Sequence, residues 1–173
     1  IWAQHAGNTQ IRDHFYEGES QKNDFNAFVK WNYEISPSFN AFVDLQYRNV
    51  NYETAGIDDN QSAYDFNDDL NFFNPKAGIS YSVSGKDVLY TSYAVANREP
   101  NRSDYLNGDE KPKPERLDNI EVGWRRNTDR YSLELNFYWM NYTDQLVLTG
   151  ALDNVGNPIR ANVGKSYRTG VEL

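Results

Sequence analysis

Residues 119–147, NIEVGWRRNTDRYSLELNFYWMNYTDQLV, predict two strands joined by a tight turn. On both strands every second position is apolar: Ile120, Val122, Trp124, Tyr131, Leu133, Leu135, Phe137 and Trp139. This period of two indicates a β-hairpin whose two faces meet different surroundings. The second strand is about twice the ~5 to 6 residues usual in soluble sheets, whereas membrane-spanning barrels require strands of ~9 to 11 residues with one apolar face. The stretch therefore predicts a piece of such a barrel.

The composition limits the possible classes of protein. Of the 173 residues 39% are hydrophobic and 15% aromatic, and Tyr and Trp suit a surface that is apolar at one end and wet at the other. The net charge of -8 argues against nucleic-acid binding, because no basic stripe is present to neutralise phosphates. The absence of Cys excludes disulfides and thiolate metal sites. No apolar run approaches the ~18 residues of a membrane helix and the first residues lack a signal-peptide pattern, so we expect any export signal on a longer precursor.

The same alternation recurs along the chain and predicts about seven strands, at residues 24–35, 38–52, 70–83, 87–97, 118–127, 130–145 and 159–173. Where the alternation stops, the sequence predicts long loops, at residues 1–23, 53–69, 98–117 and 146–158. Turn-forming residues such as Asn, Asp, Ser, Gly and Pro occupy the short connections. The predicted fold is all-β, an antiparallel up-and-down sheet in one partial β-barrel domain over residues 1–173.

The connections alternate between short and long, which is the strongest sign of how the chain is organised. In an up-and-down barrel every second connection lies at the same end, and outer-membrane barrels have short periplasmic turns and long extracellular loops. The short turns at 36–38, 84–87 and 127–130 are therefore expected on the periplasmic side. Near these turns, on the outward face, we predict an aromatic girdle at the membrane interface, formed by Trp31, Tyr33, Phe39, Tyr81, Trp124 and Tyr131.

Seven strands do not complete a barrel of this kind. The last residues, 169–173, still follow a strand pattern. An open sheet with two long unpaired edges is a template for aggregation. We therefore expect the chain to be a fragment of a large transmembrane β-barrel.

Four segments of the chain resemble the C-terminal part of the barrel of TonB-dependent outer-membrane receptors: residues 90–105, 111–124, 135–150 and 162–173. The most specific likenesses are Arg98-Glu99-Pro100 at the start of a loop, Pro114-Glu115 ahead of residues 119–123, Asn162-Val163-Gly164, and Gly170-Val171-Glu172. The plug domain and the short binding box for the energising protein, which lie upstream in this family, are not seen.

This resemblance implies active uptake of a scarce nutrient across the outer membrane of a Gram-negative bacterium. The nutrient is often a ferric siderophore, and otherwise cobalamin, a glycan or a peptide. The implied partners are outer-membrane lipid, the receptor's own plug domain, a TonB-type energising protein and a small extracellular ligand.

The residues themselves suggest two kinds of functional position. Inward-facing residues of a large barrel line a polar lumen, and they could hold a plug through ion pairs or simply bind water. The lumen candidates are Lys30, Glu34, Asp44, Arg48, Lys76, Glu121, Arg125, Glu134 and Glu172. Ligand capture is expected in the long loops, because Arg binds anions through bidentate contacts and aromatic rings stack on flat ligands. The ligand-binding candidates are Arg98, Arg102, Tyr105, Tyr64 and Phe66.

Sharper chemistries find little support in the sequence. The acidic residues of 58–69 lack the Gly and closing Glu of a calcium loop, and His5 and His14 are not part of an HExxH pattern. No GxSxG nucleophile motif is present. We predict no enzymatic activity, no metal site and no cofactor.

Two alternative functions remain open from the residues alone. One is a soluble β-rich module, for instance a glycan-binding domain that uses exposed Tyr and Trp. The other is a passive porin, whose precursor would have no plug domain. The soluble module would show a sharp thermal transition in plain buffer, whereas the receptor requires detergent or lipid. If Trp31, Val43, Leu133 and Phe137 lay together in a closed two-layered core, the lipid-facing interpretation would fail.

Overall fold

The computed structural model describes residues 17–57, 62–106, 111–153 and 156–173. Its elements are seven strands and one short helix: β1 Glu17–Ser36, β2 Phe39–Ile57, β3 Ala63–Ser82, β4 Asp87–Arg98, α1 Arg102–Leu106, β5 Glu115–Asn127, β6 Ser132–Leu152 and β7 Pro158–Glu172. The strands pair in sequence order within one antiparallel sheet, whose edges are β1 and β7. The predicted up-and-down fold is confirmed, and the sheet formed by the described residues is not closed.

The register separates the sheet into two faces. Residues directly opposite each other lie on the same face, and one such row runs from β1 to β6 through Trp31, Val43, Ala77, Tyr93, Ile120 and Trp139. We call the face that carries this row the outer face, and the other the inner face. Trp31 is 64% exposed, and Val43, Leu133 and Phe137 are also exposed on this same side of a single layer. A closed two-layered core is therefore ruled out.

The outer face is apolar only along part of each strand. On β2 and β3 the apolar stretches run from Phe39 to Tyr47 and from Phe73 to Tyr81, which is nine residues in each case. This length matches the ~9 to 11 residues that cross a bilayer as a tilted strand. We call these two stretches, 39–47 and 73–81, the proximal hairpin, because they adjoin the short turns.

Beyond the proximal hairpin the apolar side of the sheet changes over. In residues 48–57 and 63–72, which we call the distal hairpin, the outer face carries Asn, Asp and Glu, whereas the inner face carries Val50, Tyr52, Leu70 and Phe72. Val50 is 1% exposed and Phe72 is 4% exposed. The tightest burial in the described chain is therefore on the inner face of the distal hairpin.

Most strands are longer than the sequence predicts, and the bounds of all four predicted loops are wrong; residues 115–117, predicted as loop, belong to β5. Residues 17–23, 53–57 and 63–69 belong to β1, β2 and β3, and β6 continues to Leu152. The backbone ladder does not need an apolar outer face, so it continues where the alternation changes sides. His5, His14, Asp58 and Asp59 lie outside the described residues.

The pairing between β3 and β4 ends early and so allows the chain to turn inward. The ladder stops at Lys76 and Ala94. Further along β4, the Asn97 backbone N–H donates to Oδ1 of Asn74 at 3.0 Å in place of a ladder bond. From this point the described part of the β4–β5 connection, residues 99–106 and 111–114, leaves the line of the sheet. Among the described residues, no helix is long and apolar enough to cross a membrane.

Candidate ligand-binding site

The described part of the β4–β5 connection packs on the inner face of the distal hairpin. Its only regular element is the single turn of α1, where Asp104 and Asn101 bind each other's backbone: the Asn101 N–H donates to Asp104 Oδ2 at 2.8 Å, and the Asp104 N–H donates to Asn101 Oδ1 at 3.0 Å. Such reciprocal bonds satisfy N–H groups that a helix start leaves unpaired. They fix α1 so that Tyr105 faces the sheet.

Tyr105 completes a group of four aromatic residues, Tyr52, Tyr64, Phe66 and Tyr105, which we call the aromatic patch. The Tyr105 ring centroid lies 5.8 Å from that of Tyr52 and 5.7 Å from that of Phe66, and the rings of Phe66 and Tyr64 are stacked at 6.0 Å. These separations are typical of favourable aromatic pairs. Tyr105 is 4% exposed, so the patch is the anchor of the connection.

The hydroxyl of Tyr105 has a charged partner. It donates to Asp68 Oδ2 at 2.6 Å, and the Lys111 ammonium binds the other oxygen of the same carboxylate. Burial, followed by this hydrogen bond, raises the pKa of Tyr105 well above its ordinary value. Tyr105 therefore remains a neutral donor throughout the physiological range.

Arg102 lies at the open side of the aromatic patch. Its Nη2 donates to Tyr64 Oη at 2.7 Å, and its guanidinium carbon lies 6.0 Å from the Tyr64 ring centroid. Both groups rest against Gly18 of β1, where a Cβ would come within 2.6 Å of Arg102 Nη2 and closer still to Tyr64 Oη. The bare backbone at Gly18 is thus what allows the Arg102–Tyr64 pair to lie flat.

A second contact with the sheet is ionic and involves Lys22, Asp24, Arg48 and Glu99, which we call the ion-pair cluster. Arg48 holds Asp24 through Nη2 at 2.5 Å and Nε at 3.0 Å, and its Nη2 also reaches Glu99 Oε1 at 3.2 Å. Lys22 Nζ lies 2.5 Å from the same Glu99 oxygen. The cluster therefore links β1, β2 and the start of the β4–β5 connection.

The far end of the connection is fixed by β6 and β7. The buried Glu115 Oε1 accepts from the Leu146 backbone N–H at 2.6 Å and from Arg98 Nη2 at 2.7 Å. The Asn162 side chain binds the backbone of Lys113 twice, accepting its N–H at 2.8 Å and donating to its carbonyl at 2.9 Å. The connection is thus held at both ends as well as at its centre.

Two clefts flank the docked connection. One of about 350 Å³ is lined by Lys22, Tyr52, Glu99, Arg102 and Tyr105 among others. The other, of about 590 Å³, lies towards β6 and β7, where Arg160 Nη1 is 3.6 Å from the buried Asp104. Within the described ranges, no group of three or more His, Asp or Glu side chains could hold a metal ion. The first cleft combines cationic and aromatic groups in the way an anionic, flat ligand requires.

The family model described as TonB dependent receptor-like, beta-barrel, matches residues 3–173 of the chain. The chain belongs to this family. TonB-dependent receptors are outer-membrane proteins of Gram-negative bacteria. No curated protein matches the chain.

Solved structures share the fold at low sequence identity. The chain is similar to the ferric-catecholate import receptor Fiu from E. coli K12 in its closed form, with a TM-score of 0.65 and 15% identity over 89% of this chain and 25% of that one. The FrpB iron transporter from Neisseria meningitidis matches with a TM-score of 0.65 and 19% identity, over 90% of this chain and 24% of that one. The copper transporter OprC matches with a TM-score of 0.69 and 12% identity, over 88% of this chain and 26% of that one. The chain thus spans about a quarter of the length of these proteins.

In this TonB-dependent receptor chain, four of the five predicted ligand-binding residues come together. Tyr64, Phe66, Tyr105 and Arg102 form or adjoin the aromatic patch, whereas Arg98 turns away to Glu115. Two expectations need correction: Tyr64 and Phe66 lie in β3 rather than in a loop, and Tyr105 is buried. Arg102 is exposed, and Tyr64 and Phe66 are partly exposed.

The predicted lumen residues all lie on the inner face of the sheet, namely Lys30, Glu34, Asp44, Arg48, Lys76, Glu121, Arg125, Glu134 and Glu172. Among them, Arg125 pairs with Glu134 at 2.9 Å. The six predicted girdle residues, Trp31, Tyr33, Phe39, Tyr81, Trp124 and Tyr131, lie on the outer face or at its turn end. Their roles stay predictions.

Sequence reasoning did not anticipate Tyr52, Asp68 and the partners of Arg48. These residues lie where the sequence pattern is interpreted as a loop or as its margin. The signal that could have found them is the change of apolar residues from odd to even positions after Tyr47 and before Phe73. A pattern that changes phase indicates a strand whose buried side has changed, and not the end of the strand.

Proposed function

We propose that the chain is part of the barrel of an outer-membrane receptor that takes up a ferric siderophore or a similar metal chelate, with energy supplied through a TonB-type protein. The observation that supports this proposal most strongly is the Arg102–Tyr64 pair on the inner face of the sheet. The pair lies beyond the proximal hairpin, whose outer face is apolar over about one membrane thickness. Membership of the family supports the proposal. The solved proteins of this fold include a ferric-catecholate import receptor.

The inner-face groups suit a flat anion. The Arg102 guanidinium offers planar, bidentate donors to carboxylate, catecholate or hydroxamate oxygens. The Tyr64 ring offers a stacking surface beside it. Further along the lumen, residues of both signs such as Lys30, Asp44 and Glu121 offer hydrogen bonds to a plug domain, which we propose fills the barrel of the full-length receptor.

The test is uptake of radiolabelled iron by Gram-negative cells that carry the full-length receptor, with iron supplied as catecholate, hydroxamate or carboxylate chelates. We expect uptake of one chelate class that requires both the receptor and the TonB-type protein. Uptake that persists without the energising protein would indicate a passive porin. A receptor that folds in buffer without detergent or lipid would indicate the soluble module.

Variants locate the contact. Arg102→Gln and Tyr64→Ala are expected to weaken chelate binding to whole cells by about tenfold, the loss of roughly one charge-assisted bond or one aromatic contact. Arg116→Gln, on the outer face, is the matched control and should bind normally. Equal binding by all three variants would remove the inner-face site from the proposal.

A further inference from the structure

Two arginines on the outer face of β5 stand at opposite ends of its apolar residues. Arg116 binds Asp118 in a bidentate manner, with Nε–Oδ2 and Nη2–Oδ1 distances of 2.9 Å each. Arg126 has only a 3.4 Å contact from Nη1 to Asp87 Oδ1. Its Nε is buried and has no hydrogen-bond partner in the part of the chain that the structure describes. The buried Nε is out of reach of an outside molecule, but the Arg126 side chain is 40% exposed. Among the described residues its terminal nitrogens make one long contact, so they remain open to an anion outside the sheet.

Asp87 holds Arg126 less closely than Asp118 holds Arg116, with one contact of 3.4 Å in place of two of 2.9 Å. Its Oδ1 also accepts from Trp124 Nε1 at 3.1 Å, and its Oδ2 accepts from Ser84 Oγ at 2.8 Å. The carboxylate is thus shared among three donors.

Further positive charge lies at the two adjacent short turns. The Lys86 carbonyl accepts from the Asn127 N–H at 2.8 Å, which places the turn at 83–86 beside the end of β5. Lys86 and Arg130 are both exposed in these turns. With Arg126 they outnumber the two nearby acids, Asp87 and Asp129. We call Lys86, Arg126 and Arg130 the turn-end basic cluster.

An apolar surface lies directly next to this cluster on the outer face. Leu89 is opposite Trp124, and Trp124 is opposite Leu135 on the next strand. Leu89 and Leu135 are exposed, as is Tyr131 at the turn. Positive charge at the edge of an exposed aliphatic and aromatic surface is complementary to a molecule with an anionic head and an apolar tail.

We propose that the turn-end basic cluster and the adjoining outer face bind an anionic phospholipid of the leaflet that surrounds the short turns. The headgroup phosphate accepts from Arg126, while Lys86 and Arg130 attract the remaining negative charge. The acyl chains lie along Leu89 and Leu135. Arg at this depth is tolerated because an outer-face cation costs little near the interface. The inference rests on the proposed membrane orientation and adds a lipid specificity to it.

The experiment is native mass spectrometry of the full-length receptor in detergent, with phosphatidylglycerol or phosphatidylethanolamine added. We expect phosphatidylglycerol to bind more tightly. Arg126→Gln should weaken phosphatidylglycerol binding by about fivefold. Adding Lys86→Gln and Arg130→Gln should weaken it further, by about fivefold for each of the two charges removed. Phosphatidylethanolamine binding should not change.

Arg116→Gln is the matched control, because it removes an arginine from the same face of the same strand. Loss of phosphatidylglycerol binding in this control equal to that in Arg126→Gln would overturn the inference, as would equal binding of the two lipids. Displacement of the lipid by millimolar inorganic phosphate would also overturn it by indicating a free-anion site. In these cases the receptor still requires lipid to fold. Failure of the proposed membrane orientation would appear instead as a protein that is stable in plain buffer and binds neither lipid.

Discussion

The proximal and distal hairpins are built from the same two strands but are apolar on opposite sides. In the proximal hairpin the apolar side chains, such as Val43, are on the outer face and are exposed in the isolated sheet. In the distal hairpin they are on the inner face, where Val50 and Phe72 are buried and the outer face is lined with Asn, Asp and Glu. The hydrogen-bond register runs through the boundary without a shift.

This difference shows that the surroundings of each face change along β2 and β3, whereas the backbone pairing does not. We propose that the outer face passes from hydrocarbon to water beyond Tyr47 and Phe73. The inner face becomes covered by the described part of the β4–β5 connection at about the same level. A β-strand accommodates this change by exchanging which of its two faces is apolar, since successive side chains point to opposite sides. Four predictions test this comparison.

The largest effect is expected from a charge placed on the outer face of the proximal hairpin. Val43→Arg should lower the free energy of unfolding by about 2 to 4 kcal/mol, because it puts a cation near the middle of the bilayer. Asn51→Arg, on the same face of the same strand in the distal hairpin, should have almost no effect. Denaturant titration of the full-length receptor in lipid vesicles measures both, and equal losses would refute the assignment of the boundary.

The next effect is expected where the connection docks on the distal hairpin. Tyr105→Phe removes the bond to the Asp68 carboxylate and should destabilise the docked connection by about 1.5 to 3 kcal/mol. Hydrogen exchange of residues 102–106 should become faster, while exchange in the proximal hairpin is unchanged. Tyr64→Phe is the control, because its partly exposed hydroxyl should contribute less. A uniform increase in exchange along the chain would contradict local docking.

A smaller effect is expected at the ion-pair cluster. Its side chains are partly solvated, so Glu99→Gln should cost about 1 kcal/mol or less. The loss should shrink further as salt is raised, because exposed pairs are screened. Hydrogen exchange of residues 98–101 at low and high salt measures it. A large cost that does not depend on salt would mean that the cluster, and not the aromatic patch, anchors the connection.

The smallest effect at neutral pH is that of the Tyr105 proton. Because the pKa of Tyr105 is raised in the folded protein, its contribution to stability is complete below the ordinary Tyr pKa of about 10 and is lost as the pH rises above that value. The connection should therefore undock only in alkali. In Tyr105→Phe the hydrogen-exchange rates of residues 102–106 should no longer show this alkaline undocking. If the undocking persisted in the variant, a group other than Tyr105 would be responsible for it.

Much of the fold could be predicted from the sequence because the signal is local. In residues 24–47 and 131–139 most apolar residues, with exceptions such as Phe28 and Phe42, lie on the outer face, so their spacing alone predicts strands. The short turns contain residues that bend the chain. The up-and-down strand order was predicted from connections of alternating length and is confirmed. The alternation itself is weaker than predicted, because the β2–β3 and β6–β7 connections, 58–62 and 153–157, are only five residues long. The ends of the strands could not be predicted in this way, because beyond Tyr47 the pattern changes sides and resembles a break.

The candidate site was predicted only in part. The sequence suggested Arg102, Tyr105, Tyr64 and Phe66 by residue type, but it gave no reason why they should meet. Tyr105 and its partner Asp68 are 37 residues apart, and the partners Glu115 and Leu146 are 31 apart. Such pairs depend on where the β4–β5 connection turns after β4 leaves β3.

The sequence by itself determined the architecture of this chain: long antiparallel strands, an apolar outer face near the short turns, and the positions of the short turns themselves. It did so because each side chain prefers water or apolar surroundings independently of distant residues. Only the tertiary structure decided that the β4–β5 connection folds inward, buries Tyr105 and leaves Arg102 beside Tyr64. That outcome depends on contacts between segments far apart in the chain, and alternation along one strand contains no information about them.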